Sequence, residues 1–98
     1  MSERTQVIVC YDVENTRNRT KLANALLGLG LVRVQKSVFW GTLLPAEQRN
    51  AVALFRKFLN FETDNAFVVN ADLLSSLKAK SFGKIDLTVF DLKSYDIV

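Results

Sequence analysis

Apolar residues occupy both alternating sets of positions in the stretch TQVIVCYD at 5–12, with Val7, Val9 and Tyr11 on one side and Ile8 and Cys10 on the other. The β-branched content and short length predict a strand that is covered on both faces. The polar turn Glu14-Asn15-Thr16 offers Asn15 or Thr16 as the N-cap of a helix. In that helix Leu22, Ala25, Leu26 and Leu29 fall at i, i+3, i+4 and i+7, a core-facing stripe, and Gly28 and Gly30 supply the stop. Alternation returns at 31–42 (LVRVQKSVFWGT): Val32, Val34, Val38 and Trp40 share one side, Arg33, Gln35, Ser37 and Phe39 the other. This pattern predicts one long strand with unlike faces. Pro45 suits the first position of a second helix, whose Val52, Phe55, Phe58 and Leu59 form another apolar stripe. A third strand is predicted over 65–71 (NAFVVNA), then a short helix capped by Asp72 and ended by Gly83. A fourth strand over 84–92 and an edge-like tail at 93–98 follow.

The predicted order is β-α-β-α-β-(short α)-β, within a single domain spanning 1–98. Helix-length spacers put both main helices on one face of one sheet, the split βαβ or ferredoxin-like type of α+β fold, although a parallel sheet satisfies the same pattern. Two helices cover only one face of a small sheet, so the second face of the first strand needs other cover. A second copy of the chain in a symmetric dimer is one candidate. The short helix or the tail folding across is the other.

Charge and composition narrow the chemistry. The net charge of +3 is unevenly spread: residues 15–57 hold eight basic side chains against the single acid Glu47, and the remainder is net negative. Such a one-sided block is the footprint of a surface that binds a polyanion, although solvated helix faces produce the same pattern. Histidine is absent, which removes the commonest general base, His-activated nucleophiles and His-ligated zinc. Cys10 is the one cysteine and lies inside an apolar run, so no disulfide framework forms within the chain and a reducing cytoplasm is expected. No apolar run is long enough for a transmembrane helix, and the N-terminus shows no signal-peptide pattern.

Asp12 is the carboxylate best placed for chemistry, because it ends a strand where the chain opens into a polar loop. It is followed by Arg17, Arg19 and Lys21, and could equally pair with these or cap the turn. One carboxylate is a thin donor set for Mg²⁺, which takes one or two together with waters and substrate phosphate. Two copies of Asp12 meeting across a dimer axis would complete it. Arg33, Gln35, Ser37 and Phe39, on one face at period two, form a candidate nucleic-acid platform. No phosphate-binding glycine loop, CxxC or nucleophile elbow occurs.

The motif YDV, a polar loop with NRTK, and a helix running into GLGLVRVQKSVFWG resemble the small CRISPR-associated adaptation proteins, the dimeric partners of the CRISPR integrase. The likeness runs in register from about Val7 to Leu44. It implies a ferredoxin-like fold with one antiparallel sheet, a homodimer meeting through the sheets, and a C-terminal strand added to the partner's sheet. It also implies an endonuclease or endoribonuclease whose Mg²⁺, shared between subunits, is held by Asp12 with Tyr11 beside it. Arg17, Arg19, Lys21, Arg33, Ser37 and Phe39 would then bind nucleic acid, either single-stranded RNA or double-stranded DNA. Trp40 stands where an acidic residue commonly follows SVF, and Lys21 where arginine is frequent. Three readings result: a metal-dependent nuclease of CRISPR adaptation, a non-catalytic DNA scaffold for integrase subunits, and a ferredoxin-like ribonuclease toxin outside CRISPR systems.

Overall fold

The computed structural model describes residues 3–85 and 88. Its elements are β1 (Thr5–Asp12), α1 (Thr16–Gly28), β2 (Val32–Gln35), β3 (Val38–Leu43), α2 (Pro45–Phe58), β4 (Asn65–Asn70) and α3 (Leu73–Lys80). The strands form one sheet in the order β2-β3-β1-β4, every neighbouring pair antiparallel. With α1 and α2 as the crossovers, this is the ferredoxin-like β-α-β-β-α-β arrangement. The expected sheet and both helices are present, and the parallel alternative is not.

The predicted long strand at 31–42 is instead the hairpin β2-β3, turning at Lys36 and Ser37. The register runs Val32 opposite Trp40 and Arg33 opposite Phe39, then Gln35 opposite Val38, with an irregularity between Arg33 and Gln35. That irregularity shifts Gln35 off the face it would share with Arg33 in an uninterrupted strand. The fold therefore contains the β-α-β-β order that the alternation had hidden. The predicted fourth strand lies outside the described residues apart from Lys84, Ile85 and Thr88, of which Lys84 and Ile85 are not in a strand. The tail at 93–98 lies wholly outside them.

Local chemistry fixes the helix ends. Asn15 is the N-cap of α1, its side-chain oxygen accepting from the Asn18 N–H at 2.9 Å. At the other end Gly30, with φ of 93°, donates to Leu27 O at 2.9 Å while Leu31 N donates to Leu26 O at 3.3 Å. This is a Schellman closure, and it drops Leu31 into the core beside Leu26. In α2, Glu47 accepts from the Leu44 N–H at 2.7 Å and is held by Arg4 at 3.2 Å.

Cross-strand pairing separates the two sheet faces. Val7, Val9, Tyr11, Phe39, Leu43, Ala66 and Val68 line the face under the helices, where they meet Leu22, Ala23, Leu26, Leu54, Phe55, Phe58 and Leu59. Ala51 is the fully buried residue of α2, whereas Val52, placed in the apolar stripe by spacing, is half-buried. The opposite face carries Gln6, Ile8, Cys10, Asp12, Val38, Trp40, Phe67 and Val69. Trp40 is fully buried there, with its Nε1 donating to Gln6 Oε1 at 3.2 Å. Gln6 in turn donates to Asp72 at the start of α3, at 3.3 Å. Along β4 the same face stays open, with Phe67 50% and Val69 43% exposed.

Candidate nucleic-acid and metal site at the end of β1

Period two along β1 sends Tyr11 and Asp12 to opposite faces. Tyr11 is buried under the helices, its ring stacked on Phe39 with centroids 6.0 Å apart, and its hydroxyl is buried without a hydrogen-bond partner. Asp12 is exposed on the face opposite the helices, across from Asn65 in the β1–β4 ladder. The two residues read from sequence as neighbours at one site are thus divided between the core and the surface.

The other candidates form two groups. Arg33, Phe39, Tyr11 and Ser37 make a connected set: the Arg33 guanidinium lies 5.2 Å from the Phe39 ring centroid, Phe39 stacks on Tyr11, and the Tyr11 N–H donates to Ser37 O at 3.2 Å. Phe39 is fully buried, so its ring serves as packing and as the seat of an arginine. Arg17, Arg19 and Lys21 belong to the first turns of α1. Arg17 and Lys21 are exposed one helical turn apart. Arg19 faces inward to the loop, donating from Nη1 to Val13 O at 2.8 Å and from Nη2 to Thr16 Oγ1 at 3.1 Å.

A residue that sequence reasoning passed over sits between these parts. Asp64, in the α2–β4 loop, accepts from the Glu14 N–H at 3.0 Å through Oδ1 and from the Asn60 N–H at 2.9 Å through Oδ2. Thr63 Oγ1 adds a further bond at 3.1 Å. The Asn60 and Glu14 N–H donors hold the Asp64 carboxyl below its ordinary range. Its sequence signal was weak, since only the β1–β4 pairing brings the two loops together. Cys10 lies half-buried two residues before Asp12 on the same face, and burial pushes its thiol up.

Among the described residues no cluster of three or more His, Cys, Asp or Glu stands ready for a metal ion.

A family model described as CRISPR associated protein Cas2 matches residues 5–83. The chain belongs to the Cas2 family. A relative from Francisella tularensis subsp. novicida, named CRISPR-associated endoribonuclease Cas2 1, is 35% identical over 95 residues, covering 97% of each chain. One of the same name from Methanospirillum hungatei is 57% identical over 37 residues, 38% of this chain and 39% of that one. Among solved structures, Streptococcus pyogenes Cas2 superposes with a TM-score of 0.64 at 24% identity, over 80% of this chain and 99% of its own. A hypothetical protein from Thermus thermophilus gives the same TM-score at 27% identity, over 70% and 83%. The Cas2 match spans β1 through α3 and so includes Asp12, both basic groups and Asp64. Among the described residues no helix is long and apolar enough to cross a membrane.

Proposed function

We propose that this chain acts in CRISPR adaptation as a homodimer that binds nucleic acid and hydrolyses phosphodiester bonds with Mg²⁺ at Asp12. The observation that carries this reading is the position of Asp12: exposed at the end of β1, on the face that also presents Phe67 and Val69 to solvent. Closing that face against a second copy buries the apolar side chains and brings two carboxylates into one region. Two carboxylates with waters and a substrate phosphate match what Mg²⁺ accepts. Bound there, the ion would supply Lewis-acid polarisation of the scissile phosphate. Relatives named as endoribonucleases make RNA the first substrate to test.

The chain's own residues do the rest. Arg17 and Lys21 present exposed charge to the sugar-phosphate backbone, Lys21 as a point charge rather than a planar fork. Arg33, braced on Phe39, adds a further cation from the β2–β3 side. Tyr11 contributes from within the core, where its stacking on Phe39 fixes the strand from which Asp12 projects. Two protomers together with integrase subunits would form the larger assembly.

The uneven charge supports a second reading, in which the dimer is a scaffold for duplex DNA and Asp12 is structural. Cleavage and binding of RNA and duplex DNA by wild type and Asp12→Ala, with and without Mg²⁺, separate the two. The nuclease reading expects Mg²⁺-dependent cleavage that falls by about 100-fold or more in the variant while binding persists. Unchanged cleavage in the variant overturns it. Absence of cleavage in both proteins, with duplex binding that weakens steeply with salt, supports the scaffold.

A further inference from the structure

The Val13–Glu14 peptide, one residue beyond Asp12, is gripped at both ends. Its carbonyl, that of Val13, accepts from the Arg19 guanidinium at 2.8 Å, and its N–H, that of Glu14, donates to the Asp64 carboxylate at 3.0 Å. A cation on the oxygen and an anion on the N–H fix the plane of one peptide unit through two charge-assisted bonds. Each clamp is itself anchored. Arg19 is tied to Thr16 in the first turn of α1, while Asp64 uses its second oxygen on the Asn60 N–H at the end of α2. Asn65, the next residue after Asp64, pairs directly across from Asp12. Val13 is buried, so its side chain pins the same unit from a third direction.

From this geometry we infer that Asp64 and Arg19 are positioning residues that set the backbone exit from β1, and with it the aim of the Asp12 carboxylate. The inference rests on the reading of Asp12 as the metal-binding carboxylate. It separates Arg19 in role from Arg17 and Lys21, whose charges are free to face solvent. It also ties the loop after α2 directly to the exit of β1. Loss of the clamp leaves Asp12 in place but lets the Val13–Glu14 peptide rotate, and a misaimed ligand weakens metal binding without touching the substrate grip.

The test uses the full chain as wild type, Asp64→Ala and Asp64→Asn, the last keeping a single acceptor oxygen. Amide hydrogen exchange at Glu14 should quicken by about tenfold or more in Asp64→Ala, the loss of a hydrogen bond to a charged group, and by less in Asp64→Asn. Mn²⁺, used as a paramagnetic probe, should broaden the Asp12 and Val13 resonances at about tenfold higher concentration in Asp64→Ala than in wild type. In Mg²⁺, kcat for RNA cleavage should fall about tenfold with KM little changed. Unaltered Glu14 exchange, or an unaltered Mn²⁺ titration at Asp12 in a variant whose Tm has dropped, overturns the inference. So does Mn²⁺ broadening in wild type centred on Asp64, which would make it a ligand. Should wild type fail to cleave, or cleavage survive Asp12→Ala, the nuclease reading fails on its own, and the exchange and Mn²⁺ measurements still decide the clamp.

Discussion

Asp64 keeps its charge at little cost, because the Asn60 and Glu14 N–H groups and the Thr63 hydroxyl bind its ionised form. A carboxyl whose folded pKa is depressed stabilises the fold above its unfolded value, near 3.8, and that contribution disappears as pH falls through the lower folded pKa. Urea midpoints of wild type and Asp64→Asn are therefore expected to differ at pH 7, with wild type higher, and to converge as the pH is taken below about 3.8. A gap that stays constant across that range would show that the ionised form is not what the loops hold. Asp12 was legible in the sequence because period two and a strand-ending loop mark it locally. Asp64 was not, since its bond to Glu14 spans 50 positions and exists only once β4 lies against β1. Tyr11 was placed beside Asp12 by the resemblance carried by the YD motif, and the pleat that made Asp12 accessible is what turned Tyr11 inward.

At the level of elements, the hairpin β2-β3 shows where pattern reading runs out. Two-residue turns usually announce themselves by glycine or asparagine at positive φ. Here Lys36 and Ser37 make the turn, and no residue other than glycine has positive φ among those described. The one interruption was Lys36, a polar residue on the parity of Val34 and Val38 within the run Gln35-Lys36-Ser37, and without a glycine or asparagine it did not read as a turn. The helices, in contrast, were legible from their stripes and caps, because those signals lie within one turn of the chain. Gly41 was silent in the sequence but is constrained in the fold: it pairs with Val7 on the core face, and a Cβ there would meet Leu31 Cδ2 at 2.5 Å and Leu31 Cα at 3.2 Å. The close approach of Leu31 follows from the Schellman turn that delivers it. Gly41→Ala is thus expected to destabilise by about 1–3 kcal/mol through overpacking, measured by urea denaturation. A neutral or stabilising result would mean that the α1–β2 connection can retreat from the sheet.

For the whole molecule, the sheet divides the chain's work. The face under α1 and α2 holds the core, and the other face holds Asp12 together with apolar side chains that remain half in water along β4. The sequence made the need for cover legible, through the apolar residues of both parities in β1. It did not show that Trp40 would be fully buried through contacts in its own chain, with Gln6 bonded to its indole. The short helix, one of the two covers weighed from sequence, is linked to that end of the face through Asp72 and Gln6. A dimer closing over the remainder predicts that Phe67→Asp shifts the solution mass by light scattering from two chains toward one at micromolar concentration, because a buried unpaired carboxylate is strongly disfavoured. A monomeric wild type would remove the shared site.

The position of Cys10 gives that equilibrium a built-in reporter. Its thiol lies on the same sheet face two residues before Asp12, it is the chain's sole sulfhydryl, and its raised pKa keeps it a slow nucleophile at neutral pH. If a second copy closes over this face, alkylation kinetics followed against protein concentration would therefore report that association beside Asp12, with no label introduced and no residue replaced.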